Sequence, residues 1–143
     1  MRRGTTLLEL AIVLVICGLL LAMALPAGAA LRDRLSTDGA AAVLVSAHAR
    51  ARMIAASESR VIVLSLWADS VVVQAVESPA DTVVRWRGIG PASHRVSLTG
   101  LPRRVVFGPN GIPLGAANGT YLASRGGARR QVVVSRYGRV RVF

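Results

Sequence analysis

Residues 4–26 read GTTLLELAIVLVICGLLLAMALP, and this stretch decides how the rest of the chain is interpreted. Every residue from Leu10 to Leu25 is apolar or glycine, a run worth about 24 Å of α-helix. Starting at Thr5 extends the helix to about 31 Å, close to the hydrocarbon thickness of a bilayer. A carboxylate at the centre of a membrane helix costs about 2.5–3.5 kcal/mol. The stretch therefore predicts a membrane helix with Glu9 at or near one interface.

Two general interpretations of this segment leave something unexplained. A secretory signal peptide would use Arg2 and Arg3 as its basic region and residues 27–29 as its cleavage site. Its apolar run would be at the long end, however, and Glu9 would stand where positive charge belongs. A plain membrane anchor, with its arginines kept in the cytoplasm, accounts for everything except Gly4 and Glu9.

A third interpretation accounts for both residues. Gly4-Thr-Thr-Leu-Leu-Glu9 resembles the type III signal of type IV pilins and pseudopilins. The resemblance implies that prepilin peptidase cleaves after Gly4 on the cytoplasmic side. Thr5 becomes the N-methylated first residue, where the family usually has Phe. Pro26 becomes the twenty-second mature residue, where the family often places a helix-kinking proline.

Cleavage after Gly4 would also give Glu9 a partner. It creates an amine at Thr5, which a neighbouring subunit can present to the Glu9 carboxylate, and by resemblance this pairing sets the subunit register in a filament. The predicted organisation is a leader at 1–4, a transmembrane and filament-core helix half at 5–29, and a periplasmic globular domain at 30–143. The protein would be a single-pass protein of the inner membrane, and would assemble into a pilus or pseudopilus.

Periodicity predicts an α+β domain after Pro26, and the resemblance implies that it is of the pilin-like type. The helix is expected to run from Thr5 to about Ser57 and then pack on an antiparallel β-sheet. The residues expected to contact the sheet recur at helical spacings: Leu31, Leu35, Ala42, Val45, Ala49, Met53 and Ala56. Strands are expected at 60–67, 70–76, 82–87, 94–98, 104–107, 120–123, 130–135 and 139–143, with a tight turn at Ala68-Asp69.

The charged residues favour a binding protein over an enzyme. The 143 residues carry a net charge of +11, which favours an anionic partner such as nucleic acid. His48 and His94 have no motif neighbours, and Cys17 lies within the apolar run. No metal spacing, phosphate loop or nucleophile motif is visible, so neither enzymatic activity nor a cofactor is expected.

Arginines are concentrated in the last third of the chain, and no acid follows Asp81. In an extended strand Arg139 and Arg141 point to the same side, about 6.6–7 Å apart, and their guanidinium groups can bind phosphate oxygens. Val140 and Val142 would then face the core. A charge concentration of this kind is also common on an ordinary solvated surface.

A narrower resemblance favours the first interpretation of these arginines. The pattern Val105-Val-Phe-Gly-Pro-Asn-Gly111, a late Arg-Gln-Val-Val-Val-Ser135 strand and a closing Gly138-Arg-Val-Arg141 resemble the GspH/FimT family of minor pilins and pseudopilins. In FimT-like members a terminal Gly-Arg-x-Arg motif is associated with DNA binding during natural transformation, which implicates Gly138, Arg139 and Arg141. Charge alone adds four further candidates: Arg125, Arg129, Arg130 and Arg136.

Two functions follow. The first is a minor pilin of a type IV pilus that binds DNA non-specifically for uptake. The second is a GspH-like pseudopilin, a structural component at the tip of a type II secretion system. The expected partners are prepilin peptidase, other pilins, the inner membrane and, in the first case, DNA.

Overall fold

The computed structural model describes residues 6–78 and 81–143, so Gly4 and Thr5 lie outside it. Its described residues form one α-helix, nine β-strands and a short 3₁₀ helix, Pro91–His94, which confirms the α+β prediction. The helix, α1, spans Leu7–Glu58. The strands are β1 Ile62–Leu66, β2 Ser70–Ser78, β3 Asp81–Ile89, β4 Ser97–Thr99, β5 Arg103–Phe107, β6 Pro113–Leu114, β7 Gly119–Arg125, β8 Ala128–Val134 and β9 Val140–Val142.

These nine strands form two antiparallel sheets. The five-stranded sheet has the order β3-β2-β1-β5-β6, and the C-terminal sheet has the order β4-β7-β8-β9. The chain divides into two compact units after Arg32, and both sheets belong to the second unit, Asp33–Phe143. Sequence position and sheet order differ, because β5 crosses back to pair with β1 rather than with its neighbour β4.

The first unit is helical and carries its apolar side chains on the outside. Leu7 is 86% exposed and Met23 is 76% exposed, and the helix continues through Pro26. It is the one helix among the described residues that is long and apolar enough to cross a membrane. Such a surface is consistent with membrane anchoring and pilus assembly, because water solvates it poorly.

The prediction of which face of α1 contacts the sheet is wrong. Leu35 and Met53 are exposed, and Val45 lies at the margin of the core. The buried face of α1 consists mainly of small side chains: Thr37, Ala40, Ala41, Leu44, Ala47, His48, Ala51 and Ala55. Alanines allow the helix backbone to approach the sheets closely, so the larger side chains remain on the outer face.

A buried polar pair lies in this core. The Leu44 carbonyl can only accept a hydrogen bond, so His48 Nδ1 carries the proton and donates to it over 2.9 Å. His48 Nε2 is then unprotonated and accepts from the Tyr121 hydroxyl, 3.4 Å away. Burial lowers the pKa of His48, and the nearby Arg103 guanidinium also lowers it, while the bond to Leu44 opposes the shift. Burial raises the pKa of Tyr121 to about 12. Both groups are therefore neutral near pH 7.

Most strand predictions are confirmed to within a few residues. The β1–β2 hairpin closes as expected, with the Trp67 N–H donating to the Ser70 carbonyl over 2.9 Å. The predicted strand at 94–98 is wrong in its first half. Pro91 begins the 3₁₀ helix there, and Arg95 caps it with a left-handed φ of 57°, so extended structure starts only at Ser97.

Candidate nucleic-acid interface

Strand alternation sorts the arginines of β8 onto opposite faces of the C-terminal sheet. Val132 and Val134 are buried in the core, and Arg130 lies on their side of the strand. Arg129 and Val133 therefore point outward. The register places Arg141 of β9 directly opposite Val133, so Arg141 shares the outward face.

Arg139 joins Arg141 on that outward face. Both line one shallow cavity of about 370 Å³ with Val133, Ser135 and Phe143. We call Arg129, Arg139 and Arg141, together with Arg136 in the adjoining turn, the arginine face. Val140 packs against the core as predicted. Val142 lies on the predicted side, the side of its buried partner Val132, but it is 46% exposed because β9 is an edge strand.

A tight turn between β8 and β9 sets the position of Arg139. The Gly138 N–H donates to the Ser135 carbonyl over 2.9 Å, and the Arg139 N–H donates to Ser135 Oγ over 3.0 Å. Gly138 has a φ of 76°, and a Cβ there would lie 2.7 Å from Pro113 Cγ. The Gly-Arg-x-Arg pattern thus has a structural reason for its glycine.

Arg125 and Arg130 face the other way and tie the sheet to α1. Arg125 Nε lies 3.0 Å from Asp33 Oδ1, and its Nη1 donates to Ser36 Oγ over 2.9 Å. Arg130 forms an ion pair with Asp38. Sequence reasoning grouped these two arginines with the others, because their carboxylate partners lie about ninety positions earlier in the chain.

The arginine face carries uncompensated positive charge. Among residues 6–78 and 81–143 the ion pairs join Asp33, Asp38, Glu58 and Glu77 to arginines outside this face. The outward neighbours in β7 across from β8 are hydroxyl and apolar residues, Thr120, Leu122 and Ser124. Among the described residues, the outward neighbours on β7 therefore add no carboxylate to this face.

At the other end of the chain, Glu9 lies in the first turn of α1, which begins at Leu7. The Glu9 N–H donates to Thr6 Oγ1 over 3.3 Å. Thr6 and Glu9 thus occupy N-cap and N3 positions, where a carboxylate is favoured by the helix dipole. The Glu9 side chain is exposed and has no ion-pair partner within the described residues.

Comparisons with known proteins agree with this architecture. The family model described as "Type II transport protein GspH" matches residues 40–138. The pilin-like protein PilA1 of Thermus thermophilus is 31% identical over 157 aligned residues, which cover 99% of this chain and 98% of PilA1. The chain belongs to the GspH family of pilin-like proteins.

Solved structures show the same fold as this GspH-family chain. The type IV minor pilin FimU of Pseudomonas aeruginosa matches in two crystal forms, with TM-scores of 0.61 and 0.58. The first covers 77% of this chain and 90% of FimU, the second 74% and 91%, both at 18% identity. These structures show the fold, and together with the family match and PilA1 they support a minor pilin or pseudopilin of a type IV pilus or a type II secretion system.

Members of pilin-like families are structural components that assemble with other pilins in a filament. Within the part of the chain that the structure describes, no group of three or more His, Cys, Asp and Glu side chains could hold a metal ion. On the outer face of α1, the apolar side chains of Leu35 and Met53 are exposed.

Proposed function

We propose that this protein is a minor pilin of a type IV pilus that binds DNA through the arginine face for uptake in natural transformation. The observation that supports this most is the sorting of the arginines. Arg129, Arg139 and Arg141 share one outward face without an acid among them, whereas Arg125 and Arg130 are engaged with α1.

The geometry suits a phosphate backbone. Arg139 and Arg141 are two residues apart on one side of an extended segment, about 6.6–7 Å. Val133 is the β8 partner of Arg141, and Arg129 lies four residues before it. The distance along β8 between Arg129 and Val133 is about 13 Å. Guanidinium forks bind phosphate oxygens bidentately and carry no base preference in that contact. Binding would therefore be electrostatic and independent of sequence.

The test is duplex binding by the full chain in a neutral detergent. An Arg139→Ala, Arg141→Ala variant should bind duplex DNA at least tenfold more weakly than wild type, because it loses two phosphate contacts. The matched control is Arg125→Ala, Arg130→Ala, which removes the same charge from the inward side and should bind like wild type. Equal losses in both variants would show that net charge, and not this face, governs binding.

We also propose the processing and assembly steps of a pilin. Prepilin peptidase would cleave between Gly4 and Thr5, Thr5 would be N-methylated, and the domain after the membrane helix would lie in the periplasm. The exposed carboxylate of Glu9 at the start of α1 supports pairing with the Thr5 amine of a neighbouring subunit.

The assembly step is tested by filament incorporation of Glu9→Gln, which keeps the size of the side chain and removes its charge. Incorporation should fall sharply, while Glu58→Gln at the other end of α1 should leave it unchanged. Wild-type incorporation of Glu9→Gln would rule out the pairing.

A second candidate function is a GspH-like pseudopilin at the tip of a type II secretion system, which the description of the matching family favours. The arginine face would then contact an acidic surface of another pseudopilin. Deletion of the gene distinguishes the two functions. Loss of transformation with normal protein secretion supports the pilin, and the reverse supports the pseudopilin.

A further inference from the structure

A second positively charged surface lies on the outward face of the five-stranded sheet. The register aligns one row of residues across four strands: Arg104 on β5, Ser65 on β1, Val72 on β2 and Arg87 on β3. Residues in one such row point to the same side of a sheet. Ser65 alternates with the core residues Leu64 and Leu66, so the row lies on the other side of the sheet from the core. Ser65 and Val72 in its middle are buried, and the arginines at its ends are exposed.

The two arginines stand at the ends of this row. Three strand spacings separate them, about 14 Å between their backbone positions. Both side chains are exposed, and neither forms an ion pair with any residue in 6–78 or 81–143.

Trp67 lies between these arginines on the same face. It is 42% exposed, a large fraction for an indole, and it lines two adjacent grooves. One groove, of about 410 Å³, also contains Arg104, and the other, of about 350 Å³, also contains Arg87. We call Trp67, Arg87 and Arg104 the tryptophan face.

The lining of these grooves is polar and short of acids. Ser65, Gln74 and Thr82 bring hydroxyl and amide groups to the first groove, which can donate and accept hydrogen bonds. Asp69 is the acid that lines the second groove, and the Ser70 hydroxyl donates to it over 3.1 Å. Three arginines, Arg87, Arg103 and Arg104, line the two grooves and outweigh the one carboxylate.

The second tryptophan, Trp86, differs from Trp67 because its indole ring is already in contact with other residues of the domain. Trp86 packs against the core, and the Arg50 guanidinium lies 4.7 Å from its ring centroid. Trp67 has no such arginine over its ring among the described residues. Its ring is available to an external planar group.

We propose that the tryptophan face binds single-stranded DNA, with an unpaired base stacked on Trp67 and backbone phosphates held by Arg87 and Arg104. An exposed aromatic ring beside positive charge is the arrangement that binds single strands without sequence preference. In a duplex the bases are stacked on one another, so they offer Trp67 no free ring. This surface is separate from the arginine face and does not depend on the proposed function.

The test uses tryptophan fluorescence of the full chain in a neutral detergent, titrated with an oligothymidine of about 16 nucleotides. The oligonucleotide should quench the wild type and Trp86→Phe, in which Trp67 is the remaining indole. It should leave Trp67→Phe unquenched. Because Trp67 is exposed, its substitution leaves the core intact, so this comparison holds even if Trp86→Phe fails to fold.

Affinity gives an independent measure. Trp67→Ala should weaken oligothymidine binding at least fivefold, the lower end of what loss of one stacked base produces. Arg87→Ala, Arg104→Ala should also weaken it. Tyr137→Ala is the matched control, because Tyr137 is 78% exposed but belongs to the turn beside the arginine face, and it should not change the affinity.

Three results would overturn the inference. The first is that oligothymidine binds wild type and Trp67→Ala equally well. The second is that Trp67→Ala loses as much affinity for duplex DNA as for oligothymidine. The third is that phosphatidylglycerol vesicles quench Trp67 and oligothymidine does not. The Arg139→Ala, Arg141→Ala variant separates this inference from the proposed function. It should lose duplex affinity and keep the quenching of Trp67.

Discussion

The salt dependence of duplex binding should report how many arginines touch phosphate. Four arginines make up the arginine face, Arg129, Arg136, Arg139 and Arg141, and each neutralises one phosphate if it contacts DNA. The slope of log K against log salt should then be about −3.6. Raising the salt from about 50 to about 200 mM should weaken wild-type binding about 150-fold.

A variant that lacks two of these arginines tests whether they contribute to the salt dependence. Arg139→Ala, Arg141→Ala should have a slope of about −1.8, so that the same salt change weakens binding only about 12-fold. The measurement is fluorescence anisotropy of an end-labelled duplex with the full chain in neutral detergent, at five salt concentrations.

The control and the refuting results use the inward arginines. Arg125→Ala, Arg130→Ala should keep the wild-type slope, and circular dichroism confirms that it is folded. A slope unchanged by loss of Arg139 and Arg141 would refute the assignment of the arginine face. A slope reduced equally in the control would refute the sorting of the arginines into two classes.

Three further predictions concern the fold that presents this face. In thermal melts, Gly138→Ala should lower stability by roughly 1–3 kcal/mol, because a positive φ and the Pro113 ring oppose the new Cβ. Gly127 has open space around it, so Gly127→Ala should change stability by less than about 0.5 kcal/mol. Arg125→Ala should cost about 1 kcal/mol by loss of its partly buried ion pair to α1, in which the Arg125 and Asp33 side chains are 22% and 24% exposed. An unaltered melting temperature would contradict that tethering role. His48 has a lowered pKa, so its contribution to stability is complete above its ordinary pKa of 6.5 and is lost as the pH falls below that value. Melts between pH 7 and 5 should therefore show a decline that His48→Gln lacks and His94→Ala retains; a decline retained in His48→Gln would assign it to other groups.

Local sequence patterns predicted the elements of the fold well. The apolar run and helical spacing gave α1, and β-branched stretches bounded by turns gave most of the strands. Alternation also predicted that Arg139 and Arg141 share one side, because that property depends only on two neighbouring residues in an extended segment.

Properties that depend on distant residues were not predictable in this way. The second half of α1 has two faces with helical spacing. The predicted face includes the larger residues Leu35, Val45 and Met53 among alanines, and the other consists mainly of alanines. Periodicity alone favoured the large residues, but close approach of the helix to the sheets selected the alanine face, leaving Leu35 and Met53 outside.

The sorting of the arginines has the same cause. Arg129 and Arg130 are neighbours in sequence, and which of them points inward depends on the register of β8 and on Asp38, which lies 92 positions earlier. The row that joins Arg104, Ser65, Val72 and Arg87 exists only because four strands align in register. No local pattern carries that information.

The most direct test of DNA binding through the arginine face is arginine footprinting. The full chain is treated with phenylglyoxal with and without duplex DNA, and the modified residues are identified by mass spectrometry. We predict that DNA protects Arg129, Arg136, Arg139 and Arg141, while exposed arginines on α1 such as Arg34 react equally in both samples. Equal modification of the four with and without DNA, or protection confined to other arginines, would contradict the account.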